Sequence, residues 1–220
     1  GLVGLKPTVG LVSRTHIVPI SHSQDTAGPM TLTVEDAAKV LTIIAGSDPA
    51  DPATQEADAR KTDYAAGLSK TALKGVKLAV ARFYTGYSPK TDAVFERALK
   101  DLEAQGATLI DVKDFDEGPI DRAEGVVLHT EPKADLAAYL ASTDPKKVPT
   151  RTLADVIAFN KATPKEFEWF GQESFERAEK TKGLEDPEYL KALADSKRMA
   201  GPEGIDKILK DTGAVAIIAP

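Results

Sequence analysis

The 220 residues contain no cysteine, one tryptophan and two methionines, and only 6% of them are aromatic. Without cysteine there is no disulfide, no thiolate nucleophile and no Cys-ligated zinc, although cytosol and periplasm both remain open as compartments. No apolar run approaches the roughly 18 residues of a membrane span, and the start lacks a basic segment followed by an apolar one, so neither a membrane partner nor a targeting peptide is expected. A bank of positive charge is also missing. Lys and Arg number 28 against 34 Asp and Glu, a net charge of −6, and they are scattered along the chain. A protein built to neutralise phosphates presents a basic stripe, so no nucleic-acid partner is expected. Internal repeats and low-complexity segments are absent as well.

What remains is 42% apolar and 28% charged, an ordinary composition for a globular α/β protein. The two ends are unusual. Gly1-Leu2-Val3-Gly4-Leu5 is apolar where free termini tend to be polar, and Ala214 to Ile218 has the continuous apolar character of a strand buried on both faces. These features suggest a segment of a longer polypeptide, whose exposed strand edges would favour self-association.

Residues 1–31, rich in Gly, Pro, Ser and Thr, are expected to form loops and short extended pieces. Thr33 is placed to cap a helix over 34–45, with Glu35 and Asp36 in its first turn and Gly46 after it. The polar stretch 47–69, with Pro49 and Pro52, reads as a surface excursion. A strand over 76–81, a helix opened by Ser88-Pro89 and closed by Gly106, and a strand over 108–112 form a βαβ unit, which requires parallel pairing. Beyond it the chain reads as helical. Helices are expected over 121–130 and 133–142, separated by a break at Pro132, then over 153–160 capped by Thr152, 165–180 opened by Thr163-Pro164, and 187–200 opened by Asp186-Pro187. Pro202 to Lys210 should lead into the final strand.

Chemistry is harder to find. Ser21, His22, Ser23 and Asp25 contain the residue types of a serine relay, but relays are assembled in space and seldom from neighbours in one loop, which favours a hydrogen-bonded polar loop. His129 and Glu131 are two residues apart, a spacing that directs them to different faces of a helix, so no metal site is expected. The acidic run Asp111, Asp114, Asp116, Glu117 lacks calcium-loop spacing and reads as a solvated turn. Phe167, Trp169, Phe170 and Phe175 could line an apolar pocket, but their near-helical spacing favours a core role. The glycines of 1–4 and 201–204 match no phosphate cradle.

Two blocks resemble a known family. Gly1 to Ser13 is similar to the segment that follows the nucleophile strand in amidase-signature hydrolases, and Ser21-His22-Ser23-Gln24-Asp25-Thr26-Ala27-Gly28-Pro29-Met30 with Thr33 to Ala38 resembles their next characteristic block. Arg151 to Asn160, Phe170-Gly171-Gln172-Glu173 and Ala216 to Pro220 resemble the peptide-amidase-like branch. The resemblance implies part of an α/β/α sandwich, helix-rich, with a mixed, largely parallel sheet, and residues 1–220 as a partial domain lacking the N-terminal catalytic segment and the C-terminal region. It implies a parent enzyme that hydrolyses a small-molecule or peptide carboxamide to acid and ammonia without a cofactor, through a serine nucleophile, a second serine preceded by a cis peptide bond and a lysine base. None of the three maps onto this sequence, so the chain alone is expected to be inactive. Ser23, Asp25, Phe170 and Gln172 are candidates for lining or supporting the substrate pocket. Leu32, where arginine is common, and Pro132, where phenylalanine is more usual, depart from the pattern. The alternatives are a non-catalytic amidase-like subunit or binding module, and a self-sufficient α/β ligand-binding domain.

Overall fold

A computed structural model describes all 220 residues, which divide into two compact units: residues 1–68 with 125–190, and residues 69–124 with 191–220. The elements form a helix-rich α/β fold whose strands pair both antiparallel and parallel. No helix is long and apolar enough to cross a membrane.

In the first unit, β1 (Val3–Gly4) pairs antiparallel with β2 (Met30–Thr31), and Leu5 N–H adds a bond to Pro29 O. The expected first helix is present as α1 (Val34–Ile44), where the Thr33 side chain accepts from Asp36 N–H and so satisfies one of the free donors of the first turn. Its Ala37, Ala38 and Leu41 face inward. The stretch 47–69 is better anchored than its polarity suggests: a 3₁₀ turn at Pro52–Thr54 and the short α2 (Ala57–Arg60) bury Asp51, Thr54 and Ala57.

The second unit holds the βαβ element. β3 (Lys77–Ala81) and β4 (Thr108–Val112) run parallel in register Lys77 to Thr108, joined by α3 (Pro89–Ala104), whose N-terminus Ser88 caps. Val80, Phe95 and Leu99 form its core, with Leu102 and Leu109 packed alongside. β5 (Ala216–Ile218) joins the other side of β3, again parallel, giving the order β4-β3-β5. The last strand lies at an edge of this sheet, and with Ala216 exposed and Ile217 and Ile218 half-buried it is less covered in this chain than the burial on both faces that its composition suggested. Continuous apolar character fits an edge strand as well as a central one, because pairing on the second side is a tertiary fact.

Two further helical expectations need correction. The break at Pro132 does not occur: α4 runs from Gly118 to Ala141 with Pro132 inside it. Proline removes a single donor, the one that would reach the Leu128 carbonyl, at a cost of about 3 kcal/mol. The turns on either side are held by burial of Val127, Thr130, Glu131 and Leu140 and by Lys133 Nζ donating to Glu179 O at 2.8 Å. The helix expected over 165–180 is instead a 3₁₀ turn at Pro164–Phe167, an irregular stretch, and α6 (Glu173–Glu179). Its aromatic residues do not form a core either, since Trp169 and Phe170 are more than four-fifths exposed. With no apolar partner for that face, nothing carries the helix across Gly171. α5 (Leu153–Ala162) follows its expectation, closed by a reciprocal Thr152–Asp155 capping box, and its Leu153 and Ile157 pack with Ala178. α7 (Pro187–Ala200) does too, and it passes into a π-helical turn at Gly201–Ile205 and then α8 (Asp206–Thr212), which leads to the final strand.

Candidate functional site

The densest polar constellation lies in the first unit, where the loop 20–25 meets α4. Asp25 Oδ2 accepts from the N–H groups of Ile20 (2.8 Å) and Ser21 (2.9 Å), so its carboxylate closes the loop on itself. This is the hydrogen-bonded loop expected from sequence, and Asp25 orients no histidine in it. The loop then delivers its other polar groups to Glu131, which is completely buried. Ser21 Oγ donates to Glu131 Oε2, as do Ser23 N–H (3.2 Å) and Ser23 Oγ (3.0 Å), while the Tyr189 hydroxyl donates to Oε1 at 2.8 Å.

Burial alone would push the Glu131 carboxyl upward, but these donors outweigh it and hold the group below its ordinary range. The Tyr189 phenol responds in the opposite sense, raised by burial and by donating to a carboxylate. One helical turn on, Asp135 Oδ2 accepts from His22 N–H at 2.7 Å and Oδ1 from His22 Nδ1 at 2.9 Å; an ionised carboxylate only accepts, so Nδ1 carries the proton. Burial raises the Asp135 carboxyl despite that contact. Glu131 and Asp135 are thus an i, i+4 pair gripping one loop from one helix face.

A second tie secures the loop's approach. Arg14 binds Asp51 through Nε (2.9 Å) and Nη2 (2.8 Å), and its Nη1 donates to His22 O at 2.5 Å. The guanidinium holds the Asp51 carboxyl down at about 2. Between these groups is a cavity of about 200 Å³ reached by Arg14, His22, Asp25, Asp51 and Asp135.

His22, Glu131 and Asp135 bring possible metal-ligating atoms within 4.8 Å of one another. Glu131 Oε2, however, already accepts three hydrogen bonds and His22 Nδ1 is engaged by Asp135, which leaves Glu131 Oε1, bonded once by Tyr189, and His22 Nε2, 3.6 Å from it, as the less occupied atoms. His129 takes no part: its ring meets Gly125 O and Arg177, pointing away from Glu131 as their spacing required.

Of the four residues singled out from sequence, the structure brings Ser23 and Asp25 together and leaves the other two apart from them. Gln172 joins α5 to the start of α6 by accepting from Asn160 Nδ2 (3.1 Å) and donating to Ile157 O (3.4 Å). Phe170 projects outward. Its neighbour Phe175 is the aromatic that lines a cavity, one of about 510 Å³ bounded also by Leu128, Pro132, Leu136 and Leu153. Sequence reasoning weighed Glu131 only beside His129 and did not find its role, and it missed Asp135, Tyr189, Arg14 and Asp51; the available signal was the helical spacing of Glu131 and Asp135.

Comparison with known proteins places this geometry in a family. The Amidase family model matches residues 1–215. A probable amidase of Arabidopsis thaliana is 35% identical across 99% of this chain, which spans 42% of that protein. The crystal structure of native peptide amidase from Stenotrophomonas maltophilia superposes on the whole chain with a TM-score of 0.89 at 44% identity, and the chain covers 44% of it. A glutamyl-tRNA(Gln) amidotransferase subunit of Myxococcus xanthus is 46% identical, but over only 50% of this chain and 22% of its own length. The chain thus spans less than half the length of each of these relatives, and it belongs to the amidase-signature family of carboxamide hydrolases, in the peptide-amidase-like branch.

Proposed function

We propose that this chain is part of a longer enzyme that hydrolyses a carboxamide, a peptide C-terminal amide or another acylamide, to acid and ammonia. The observation that carries this reading is the full-chain match to peptide amidase at 44% identity. A Ser-cisSer-Lys mechanism follows from the family resemblance, with the three catalytic residues in a segment that precedes the position of Gly1. Ser23 and Asp25 then belong to a loop that supports the substrate pocket, with Gln172 and Phe170 contributing from the α5–α6 connection. Support for the loop's role comes from how much buried polar structure is devoted to fixing it.

A second reading is a non-catalytic amidase-like subunit; the match to the Myxococcus xanthus amidotransferase protein supports only its subunit part, since that protein is named as a subunit. That match covers half the chain, whereas the amidase matches cover 99% and 100% of it, so hydrolysis is the better supported. Ammonia release from a C-terminal peptide amide separates the two. The full-length protein should turn over, and the 220-residue chain alone should not. Serine-dependent turnover by the chain alone would overturn the placement of catalysis, and an inactive full-length protein that co-purifies with a partner would favour the subunit reading.

A further inference from the structure

The second unit contains a cavity of about 500 Å³ with a composition unlike that of the first unit's polar cluster. Phe83 and Tyr84 follow the carboxyl end of β3, and Phe115 and Glu117 follow the carboxyl end of β4, so one wall stands where ligands bind in parallel α/β sheets. Opposite them Ile205, Ile208 and Leu209 come from the π-helical turn and α8, and π-helical turns are rare features enriched at functional sites. The rings form a tilted series, with Phe83 4.7 Å from Tyr84 and 5.6 Å from Phe115 between centroids. Gly204 lets the π-turn approach closely, since a Cβ there would lie 3.4 Å from the Phe115 ring and 2.6 Å from Met199 O. A single acidic group interrupts the apolar lining: Glu117, half-buried, accepts from the Tyr84 hydroxyl.

We propose that this cavity binds an aromatic or branched aliphatic primary ammonium ion, the apolar body between the aromatic rings and α8 and the ammonium on Glu117 and the Tyr84 oxygen. The chemistry is specific in two ways. The apolar volume exceeds what a small inorganic cation could use, and the lone carboxylate with an adjacent hydroxyl acceptor selects a positively charged donor over a neutral or anionic head. Glu117 is raised from its ordinary value by burial and then by the charge of Asp121, the state of a carboxylate that gains by acquiring a cationic partner. Arg82, which precedes the aromatic pair, does not compete for it, because its guanidinium is engaged by Glu96 and Asp111. This inference does not depend on the amidase reading, because it rests on the second unit alone.

Calorimetric titration of the full-length protein with 2-phenylethylamine, 2-phenylethanol and phenylacetate tests it. The amine should bind at least about ten-fold more tightly than the alcohol, the ratio expected of one charge-assisted hydrogen bond in a partly buried site. Glu117→Gln should remove that preference while leaving the alcohol's affinity within about two-fold, and Ile208→Trp, which fills the apolar part, should weaken both ligands. Amine binding should also decline as pH falls through the Glu117 titration. Equal affinity for amine and alcohol, or an amine affinity unchanged in Glu117→Gln with the fold intact by circular dichroism, would overturn the proposal. Failure of both ligands to bind a folded wild-type protein would do the same.

Discussion

Replacing Glu131 with glutamine keeps the side chain's size and removes its charge, at a site with no solvent to compensate. Three loop donors, Ser21 Oγ, Ser23 N–H and Ser23 Oγ, converge on Oε2, and Tyr189 donates to Oε1. A glutamine can present its oxygen to only one side, so its NH₂ must face either the loop donors or the Tyr189 hydroxyl. Hydroxyls can rotate away and accept, but Ser23 N–H cannot. Each hydrogen bond to a charged group contributes about 1.5–3 kcal/mol, and rotation recovers part of the loss, so the net destabilisation should be about 3 kcal/mol. Equilibrium urea denaturation at pH 7 measures it as a shift in midpoint at constant m. Glu131→Ala, which leaves every donor unpaired, should cost more, and Tyr189→Phe about 1–2 kcal/mol. A loss below about 1 kcal/mol for Glu131→Gln, with m unchanged, would refute the view that this buried carboxylate holds the loop to α4.

The Arg14–Asp51 tie should appear in the acid limb of stability. Asp51 is held at about 2 against an ordinary 3.8, and a depressed carboxyl contributes stability that is fully present above the unfolded value and lost as pH falls through the folded one. That difference corresponds to about 2 kcal/mol for this buried group, so Asp51→Asn should lose about that much at pH 7 and show a flatter stability profile between pH 4 and 2. Pro132→Ala restores a donor for the Leu128 carbonyl and should stabilise α4 by about 1–3 kcal/mol, read from the thermal midpoint. An unchanged midpoint would show that the helix has relaxed fully around the proline.

Local rules carried much of the architecture. Thr33, Ser88 and Thr152 are N-caps because a short hydroxyl followed by an apolar-periodic run satisfies donors within three residues, and the structure places all three caps where their helices begin. The two strands of the βαβ unit were legible too, since two short strand-like runs joined by a helix call for parallel pairing. Pro132 and the 164–180 stretch went the other way: local propensity argued for a break in the first and continuity in the second. Burial of Val127, Glu131 and Leu140 overrode the proline, and the lack of any surface to receive Trp169 and Phe170 undid the helix.

Short-range spacing by itself determined the helix caps and the parallel βαβ unit, because each is written in residues a few positions apart, while the family was legible only through the resemblance of whole sequence blocks to known members. Only the tertiary structure decided what the polar residues do. Ser21 and Glu131 are 110 positions apart and Tyr189 is another 58 along. A buried carboxylate is tolerable only where distant donors converge on it, and no local pattern records that convergence.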